Sequence, residues 1–202
     1  MASINLPHPT RVGIDGVDCS GKTTLADELA EQFRNRGSNV IRISADGFHN
    51  PEDIRYRQGR YSPGGFYEDT FDNAAIVNSV LKPLGPCGNL IYRTSSWDLR
   101  TDSAVERTFK KAEADDLLLF DGIFLHRPEL SPYWDFSIFI RADFKETLRR
   151  ACKRDAKIFG SQEEVKSIYR KRYIPGQIIY LNAINPAARA DIVLDNNDIE
   201  HP

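Results

Sequence analysis

The segment at residues 16–23, with the sequence GVDCSGKT, has the residue types and spacing of a loop that holds nucleotide phosphates. Its glycines let consecutive backbone N–H groups curl around a phosphate, Lys22 reaches the β- and γ-phosphate oxygens, and the Thr23 hydroxyl binds Mg²⁺. The alternative is a glycine-rich turn that binds nothing. The candidate nucleotide-binding residues are Gly16, Asp18, Cys19, Ser20, Gly21, Lys22, Thr23 and Thr24.

The residues on either side of this loop supply the context that the pattern needs. The stretch 11–15 is a short apolar segment that predicts a strand, and the stretch 24–33 predicts an amphipathic helix with Leu25, Leu29 and Phe33 on one face. A helix at this point directs its positive N-terminal end at a bound anion. We interpret Cys19, inside the loop, as a small packing residue.

Two further carboxylates each follow a predicted strand. Asp46 comes after the strand 40–44, where it is placed to accept the proton of an attacking hydroxyl. Asp121 closes the apolar run 117–121, where it is placed to hold Mg²⁺ near Thr23. Either residue could instead belong to an ordinary turn, since each is followed by glycine. Ligands of open α/β sheets collect at the carboxyl ends of strands, which favours the functional interpretation.

Other candidates lie on one helix and in two loops. Arg149, Arg150 and Arg154 share a predicted helix that can neutralise phosphate charge, or can simply be a solvated face. His49 is expected to line the acceptor pocket. The aromatic residues Tyr92 and Trp97 flank polar residues and could stack on a ring, or could cover the core as part of a hairpin. A basic loop, with arginines at 55, 57 and 60, either meets a polar substrate or is solvated.

Composition limits the class of protein. The chain has 202 residues with a formal net charge of −2, so no basic field favours nucleic acid or an anionic membrane. Its three cysteines are scattered, as expected in a reducing compartment. The segment 1–10 lacks the order of charged and apolar residues found in a signal peptide. We therefore expect a cytoplasmic protein without membrane or nucleic-acid partners.

Short apolar strands alternate with helical stretches, which indicates an α/β fold with a five-stranded parallel sheet and helices on both faces, the three-layer arrangement of P-loop nucleotide-binding proteins. We predict one domain over 1–202, with excursions at about 47–71, 87–100 and 155–163. The predicted strands are 11–15, 40–44, 117–121, 136–140 and 192–194, and an extended segment at 90–99 lies outside the sheet. The predicted helices are 22–35, 73–81, 145–157 and 163–173, with one more from Gln177.

Together, these motifs resemble the uridine kinase and phosphoribulokinase-like P-loop kinases over residues 11–195. The matching segments are IDG at 14–16, SGKTT at 20–24, DGFH at 46–49, FDG at 120–122 and the arginine-rich helix at 149–155. The resemblance implies ATP and Mg²⁺ as cofactors. It also implies a catalytic role for Asp46, a phosphate and Mg²⁺ role for Lys22, Thr23 and Asp121, and a phosphate-side role for Arg154.

The resemblance also implies a pocket for the phosphoryl acceptor, in which Tyr92 is the aromatic wall. The other residues expected to contact the acceptor are Asp46, His49, Trp97 and Arg150. The chain departs from the family at three points. Trp97 stands where a base-reading His is expected, Ala151 where a ribose-contacting Arg is expected, and the sequence FGS at 159–161 replaces an Arg-Gly-Arg segment. These departures weaken the case for uridine more than the case for a kinase.

The sequence thus predicts transfer of the γ-phosphoryl group of ATP to a hydroxyl of a small molecule, first a nucleoside. A sugar, a sugar phosphate or a pantothenate-like alcohol is the alternative acceptor. A nucleotide-dependent regulatory switch is a further alternative, although the chain lacks the Asn-Lys-x-Asp motif that reads guanine. Apolar faces on the last helices leave formation of a homo-oligomer open.

Overall fold

Short, apolar and β-branched segments form the strands of the protein, and longer amphipathic segments form its helices. The structure, a computed structural model, describes residues 6–198. In that range the strands are β1 Thr10–Gly16, β2 Val40–Ser44, β3 Ile91–Tyr92, β4 Trp97–Asp98, β5 Ser103–Ala104, β6 Lys110–Lys111, β7 Leu117–Gly122, β8 Phe136–Arg141 and β9 Ile192–Asp195. The α-helices are α1 Lys22–Asn35, α2 Glu52–Arg55, α3 Pro63–Asp69, α4 Asn73–Ile76, α5 Phe144–Arg154, α6 Ala156–Phe159, α7 Gln162–Ile168 and α8 Ile174–Ile184.

Five strands form one parallel sheet in the order β2-β7-β1-β8-β9. Strands β1, β7 and β8 are buried along most of their length, which explains why β7 has the continuous apolar sequence LLLF before its Asp. Ile14 of β1 pairs with Asp121 of β7, and Gly16 pairs with Ile140 of β8. This sheet confirms the predicted fold class.

The two faces of the sheet carry separate hydrophobic clusters. On one face, Ala26 and Ala30 of α1 pack against Val12 and Ile14. On the other face, Leu118 and Phe120 belong to a larger cluster that includes residues of α3, α4 and α8. The sheet therefore lies between two helical layers. Within residues 6–198, the structure has no helix that combines the length and apolarity needed to cross a bilayer.

The helices between residues 144 and 184 differ from the prediction in their boundaries. The predicted helix 145–157 is interrupted at Asp155, which separates α5 from α6 because its carboxylate binds the guanidinium of Arg154 and the hydroxyl of Tyr169. The predicted helix 163–173 is α7 followed by a π-helical turn, Tyr169–Tyr173, that runs directly into α8. The last helix begins at Ile174 instead of Gln177, with proline in its first turn.

Two of the three predicted excursions, 47–71 and 87–100, are more regular than expected. The first contains α2 and α3, and α3 begins where the Ser62 hydroxyl accepts a hydrogen bond from the Gly65 N–H. In the second, the expected extended segment contributes β3 and β4 to two small antiparallel pairs, β3 with β6 and β4 with β5, whose second strands lie beyond residue 100. Residues 1–5 and 199–202 of the predicted single domain lie outside the described residues. Residues 1–5 are also half of the segment 1–10, in which we expected no signal peptide.

Gly13 in β1 is closely covered by the ring of Trp134. A Cβ atom at Gly13 would lie 2.8 Å from Cδ2 of that ring and 3.0 Å from Cε2. We expect Gly13→Ala to lower the free energy of unfolding by about 1–3 kcal/mol, the usual cost of overpacking a filled core. Urea unfolding followed by circular dichroism measures this change. The same substitution in a Trp134→Leu background should cost less, and an equal cost in both backgrounds would contradict the steric explanation.

Candidate active site

The loop between β1 and α1 forms the candidate phosphate site. Cys19 and Gly21 both have left-handed backbone conformations, with φ of 57° and 99°, and these curl the chain before α1 starts. The first helical hydrogen bond runs from the Leu25 N–H to the Gly21 carbonyl. The N–H groups of residues 22–24 therefore have no partner within the helix and are available to an anion. The predicted residues Ser20, Lys22, Thr23 and Thr24 lie in or directly after this curl.

The loop leaves no room for side chains at two of its glycines. A Cβ at Gly16 would lie 2.6 Å from Ser20 Oγ and 2.7 Å from the Ile140 carbonyl oxygen. A Cβ at Gly21 would lie 2.6 Å from Asn196 Nδ2, which donates a hydrogen bond to the Ser20 carbonyl at 2.8 Å. Asn196, which directly follows β9, was not singled out in the sequence. Its contact depends on the position of β9 in the sheet.

Lys22 and Thr23 point to different sides of the loop. The buried Lys22 Nζ donates to the Val17 carbonyl at 2.8 Å, so the cation lies across the loop. The Thr23 hydroxyl donates to Asp121 Oδ2, also at 2.8 Å. Because β7 is the neighbour of β1 in the sheet, the end of β7 brings Asp121 directly to the first turn of α1. The structure thus brings together the two residues that the sequence assigned to Mg²⁺.

Arg42 in β2 is a charged residue of this site that the sequence analysis missed. Its guanidinium donates to Asp121 Oδ1 at 2.7 Å and to Asp27 of α1 at 2.9 Å. The signal for it was a single arginine between the two isoleucines of the strand VIRIS, where an unpaired charge would be costly. Arg42 therefore neutralises part of the Asp121 charge.

Asp46 lies on a 3₁₀ turn, Ala45–Phe48, directly after β2, and it is exposed. The ring of His49 holds this turn in place, since its Nδ1 lies 2.9 Å from the Asp46 carbonyl oxygen and the ring packs 4.7 Å from the ring of Phe71. Burial lowers the pKa of His49, so its ring is neutral near pH 7. Asp46 thus presents an exposed carboxylate on an anchored turn, at the same edge of the sheet as the phosphate loop.

The loop that carries Trp97 packs directly onto the Asp46 turn. The Ser96 N–H donates to the Gly47 carbonyl at 2.7 Å, and a Cβ at Gly47 would lie 2.9 Å from the Cβ of Ser95. The indole N–H of Trp97 donates to Asp102 Oδ1 at 3.1 Å, and Arg55 donates to the same oxygen at 2.7 Å. The only hydrogen-bonding atom of the Trp97 side chain is therefore used within the protein.

Asp102 pairs with Trp97 and Arg55, whereas Tyr92 lies in the core. Although burial acts to raise the pKa of Asp102, the donors Arg55 and Trp97 lower it overall, so Asp102 is a stable anion in this pair. Tyr92 is buried in the main core, which raises the pKa of its hydroxyl. This placement agrees with the alternative that the ring covers the core.

The basic loop of the first excursion uses two of its three arginines in ion pairs within the protein. Arg55 pairs with Asp102, and Arg57 pairs with Asp69.

Arg150 lies against the phosphate loop. Its guanidinium donates to the Cys19 carbonyl at 3.4 Å and to the Asn196 carbonyl at 2.7 Å, and Glu146 holds it from behind at 2.8 Å. These contacts place Arg150 beside the candidate phosphate loop, which favours the phosphate-side role expected of its helix over the place in the acceptor pocket that the family resemblance implied. The difference arises because α5 crosses near the end of β9, which the sequence does not reveal.

Arg154 is held beside the loop by an acidic partner. Its guanidinium binds both carboxylate oxygens of Asp155, at 2.6 and 2.9 Å, and lies 3.3 Å from the Tyr169 hydroxyl. That hydroxyl donates to Asp155 at 2.9 Å and lies 3.7 Å from Cys19 Sγ. The pair with Asp155 raises the pKa of Arg154 and keeps it cationic. Arg154 is thus tethered near the phosphate loop.

Asp18 and Cys19 are less reactive than a position in a phosphate loop suggests. Burial raises the pKa of the Asp18 carboxyl, although Lys22 and Arg154 act to lower it. Burial also raises the pKa of the Cys19 thiol, which opposes formation of a thiolate. The Asp18 N–H donates to Gln177 Oε1 of α8 at 2.5 Å, another contact that the sequence analysis missed. We interpret both side chains as structural parts of the loop.

No protein-family model matches the chain. The chain is 28% identical to uridine-cytidine kinase B of Dictyostelium discoideum over 189 residues. The matched region covers 93% of this chain and 74% of that protein. The chain is 25% identical over 193 residues to the uridine kinase of Clostridium botulinum, covering 94% and 89% of the two chains. A chloroplastic uridine/cytidine kinase of Arabidopsis thaliana is matched at 25% identity over 73% of this chain and 30% of its own length.

Solved structures share the fold at lower sequence identity. A Bacillus stearothermophilus protein described as a possible uridine kinase superimposes with a TM-score of 0.74 and 24% identity, over 96% of this chain and 92% of that chain. The phosphoribulokinase of Rhodobacter spheroides superimposes with a TM-score of 0.66 and 19% identity, over 94% and 70%. The arrangement of the loop, α1 and the sheet is therefore that of known P-loop kinases.

The similarity to curated kinases over more than nine-tenths of the chain and the geometry of the phosphate loop agree with each other. The chain is similar over most of its length to curated uridine kinases and shares its fold with P-loop kinases that include a phosphoribulokinase, which indicates a phosphotransferase that uses an alcohol group as acceptor.

Proposed function

We propose that this kinase transfers the γ-phosphoryl group of ATP, in the presence of Mg²⁺, to a hydroxyl of a nucleoside. The observation that carries the proposal is the placement of three features at one edge of the sheet. These are the uncapped first turn of α1, the contact between Thr23 and Asp121, and the exposed carboxylate of Asp46. The names of the curated relatives, which are uridine and cytidine kinases, support a nucleoside as acceptor.

The loop fits a nucleotide phosphate in two respects besides its sequence. The Ser20 hydroxyl is buried and has no hydrogen-bond partner among the described residues. Lys22 Nζ is bonded to a single carbonyl, which leaves two of its three hydrogens for phosphate oxygens. Within residues 6–198 no group of three or more His, Cys, Asp or Glu side chains is arranged to hold a metal. Mg²⁺ would therefore be held by Thr23, Asp121 and the phosphates, as is usual for this ion.

The protein's own groups divide the work of transfer. Bound Mg²⁺ and ATP would supply the phosphoryl group and part of the charge neutralisation. Asp46 would hold the acceptor hydroxyl and take its proton as the oxygen attacks. Lys22 and the N–H groups of residues 22–24 would bind the phosphate oxygens, and Arg154 would neutralise charge that develops during transfer. For Arg154 this role requires a shift from Asp155 toward the phosphates.

A second acceptor class is a sugar, a sugar phosphate or a pantothenate-like alcohol. One observation favours it, namely that the indole N–H of Trp97 is bonded to Asp102 and is not free to recognise a base. An ADP-release assay with ATP and Mg²⁺ against nucleosides, sugars, sugar phosphates and pantothenate separates the two classes. Stimulation by uridine or cytidine supports the nucleoside, and stimulation by a non-nucleoside alone supports the second class.

Asp46→Asn tests the catalytic assignment. We expect kcat to fall by roughly 10²–10⁴-fold, because the amide cannot accept the proton of the acceptor hydroxyl, while the Kd of Mg·ATP stays within about two-fold of the original. Steady-state kinetics and calorimetric titration measure the two quantities. Asp53→Asn, a change of an exposed carboxylate in the neighbouring helix α2, is the matched control and should leave both unchanged. Turnover at the original rate in the Asp46→Asn variant would remove Asp46 from the mechanism.

Arg150→Met tests on which side of the site this arginine acts. Loss of its bonds to the Cys19 and Asn196 carbonyls should raise the Kd of Mg·ATP roughly ten-fold, the effect of losing one or two charge-assisted hydrogen bonds, and leave the KM of the acceptor unchanged. Arg149→Met is the control, since Arg149 shares Glu146 but is half-exposed on the same helix. A rise in the acceptor KM with an unchanged Kd of Mg·ATP would restore Arg150 to the acceptor pocket.

A further inference from the structure

Helix α8 contacts the phosphate loop at two points from the side opposite α1. Gln177 accepts a hydrogen bond from the Asp18 N–H at 2.5 Å, and the Tyr180 hydroxyl donates to the carboxylate of Asp15. Gln177 and Tyr180 are three residues apart on one face of the helix and are 1% and 2% exposed. Asp15 at the end of β1 and Asp18 in the loop are therefore both held by α8.

Asp15, the penultimate residue of β1, is the centre of this contact. It is fully buried, with 0% of its surface exposed. Its Oδ1 accepts from the N–H of Gly16 at 2.7 Å, and its Oδ2 accepts from Tyr180 and from His126, whose Nδ1 lies at 2.7 Å and whose N–H lies at 3.3 Å. A carboxylate can only accept, so Nδ1 of His126 carries a hydrogen. Four donors thus compensate for burying this charge.

The residues that donate to Asp15 come from distant parts of the chain. Gly16 begins the phosphate loop, and His126 follows Asp121 by five residues on the segment that leaves β7. Tyr180 lies on α8, and α8 also packs against α3 of the first excursion. A Cβ at Gly176 of α8 would lie only 2.8 Å from the ring of Phe66 of α3. The single carboxylate of Asp15 therefore joins the phosphate loop, the Asp121 segment and the helix next to the acceptor excursion.

We propose that Tyr180 and His126 are positioning residues of the phosphate loop, which act through Asp15 to fix the direction of the Gly16 N–H and so the curvature of residues 16–21. The inference rests on the proposed binding of nucleotide phosphates by residues 16–24. Neither side chain is expected to touch a substrate, since both are almost completely buried beneath the loop.

Two properties suit these residues to this role. Burial, together with the Asp15 carboxylate beside it, raises the pKa of Tyr180, so the hydroxyl keeps its proton and remains a donor. His126 Nε2 is buried and has no hydrogen-bond partner among the described residues, so the ring is held through its Nδ1 side alone. An asparagine at position 126 can present an amide N–H near the place of Nδ1 without losing a bond on the other side.

Tyr180→Phe removes the donor and keeps the ring. We expect the Kd of Mg·ADP to rise roughly ten-fold and kcat to fall, with no change in the acceptor KM, because the hydroxyl loses its bond to the buried Asp15 carboxylate and the bond that it accepts from the His126 N–H at 3.0 Å. Amide hydrogen exchange at Gly16, followed by NMR without nucleotide, should become faster. Tyr67→Phe is the matched control, since the Tyr67 ring packs against Phe124 and Tyr180 in the same aromatic cluster. It should leave all four quantities unchanged.

A second pair of variants keeps the test decisive if Tyr180→Phe does not fold. His126→Leu should weaken Mg·ADP binding, and His126→Asn should restore most of it. Unchanged Mg·ADP binding and unchanged Gly16 exchange in the Tyr180→Phe variant would overturn the inference, as would equal loss in both His126 variants. Failure of the unmodified protein to bind Mg·ADP would instead refute the proposed function, so the two failures are distinguishable.

Discussion

The parallel pairing of β1 with β7 is the constraint on which the site depends. The register sets Asp15 beside Gly122 and Ile14 beside Asp121, so that both strands end at the same level. The chain leaving β1 can then curl into the phosphate loop while the end of β7 presents a carboxylate to the first turn of α1. A shift of this register by one residue would turn Asp121 toward the other face of the sheet and separate it from Thr23.

Internal partners balance several of the charges around the site. Arg42 neutralises Asp121, Asp155 holds Arg154, and Asp102 holds Arg55. Each pair lowers the cost of placing a charge in a partly buried position, and each presents a side chain in a defined direction. A ligand that recruits one of these groups must compete with its present partner, so binding energy and local rearrangement are linked in this protein.

The sequence was sufficient for the features that are coded locally. The loop at 16–23, the apolar run before Asp121 and the strand before Asp46 are each recognisable within about ten residues, and together they define the edge of the sheet where the site lies. It was not sufficient where two distant elements meet. The contact of Arg150 with Cys19 and the burial of Tyr92 depend on how helices and hairpins pack.

The break at Asp155 shows the same limit at the level of secondary structure. Residues 145–157 have the composition of one helix, yet the carboxylate of Asp155 is bound by Tyr169, fourteen residues later in the chain. Arg42 was partly predictable. A single arginine between two isoleucines of a strand indicates that an acidic partner is present, but it does not indicate which residue that partner is. Trp97 was recognised as unusual from the sequence, but its bond to Asp102 was not foreseeable.

The bond between Asn196 and the Ser20 carbonyl joins residues that are 176 positions apart. During synthesis, β1 and the phosphate loop leave the ribosome long before β9 exists, and at roughly 5–20 residues per second that interval lasts on the order of ten seconds or more. Over this time the loop lacks Asn196, and for most of it the loop also lacks the guanidinium of Arg150. The nascent chain therefore carries the sequence of the candidate phosphate loop well before it carries the distant residues that shape this loop.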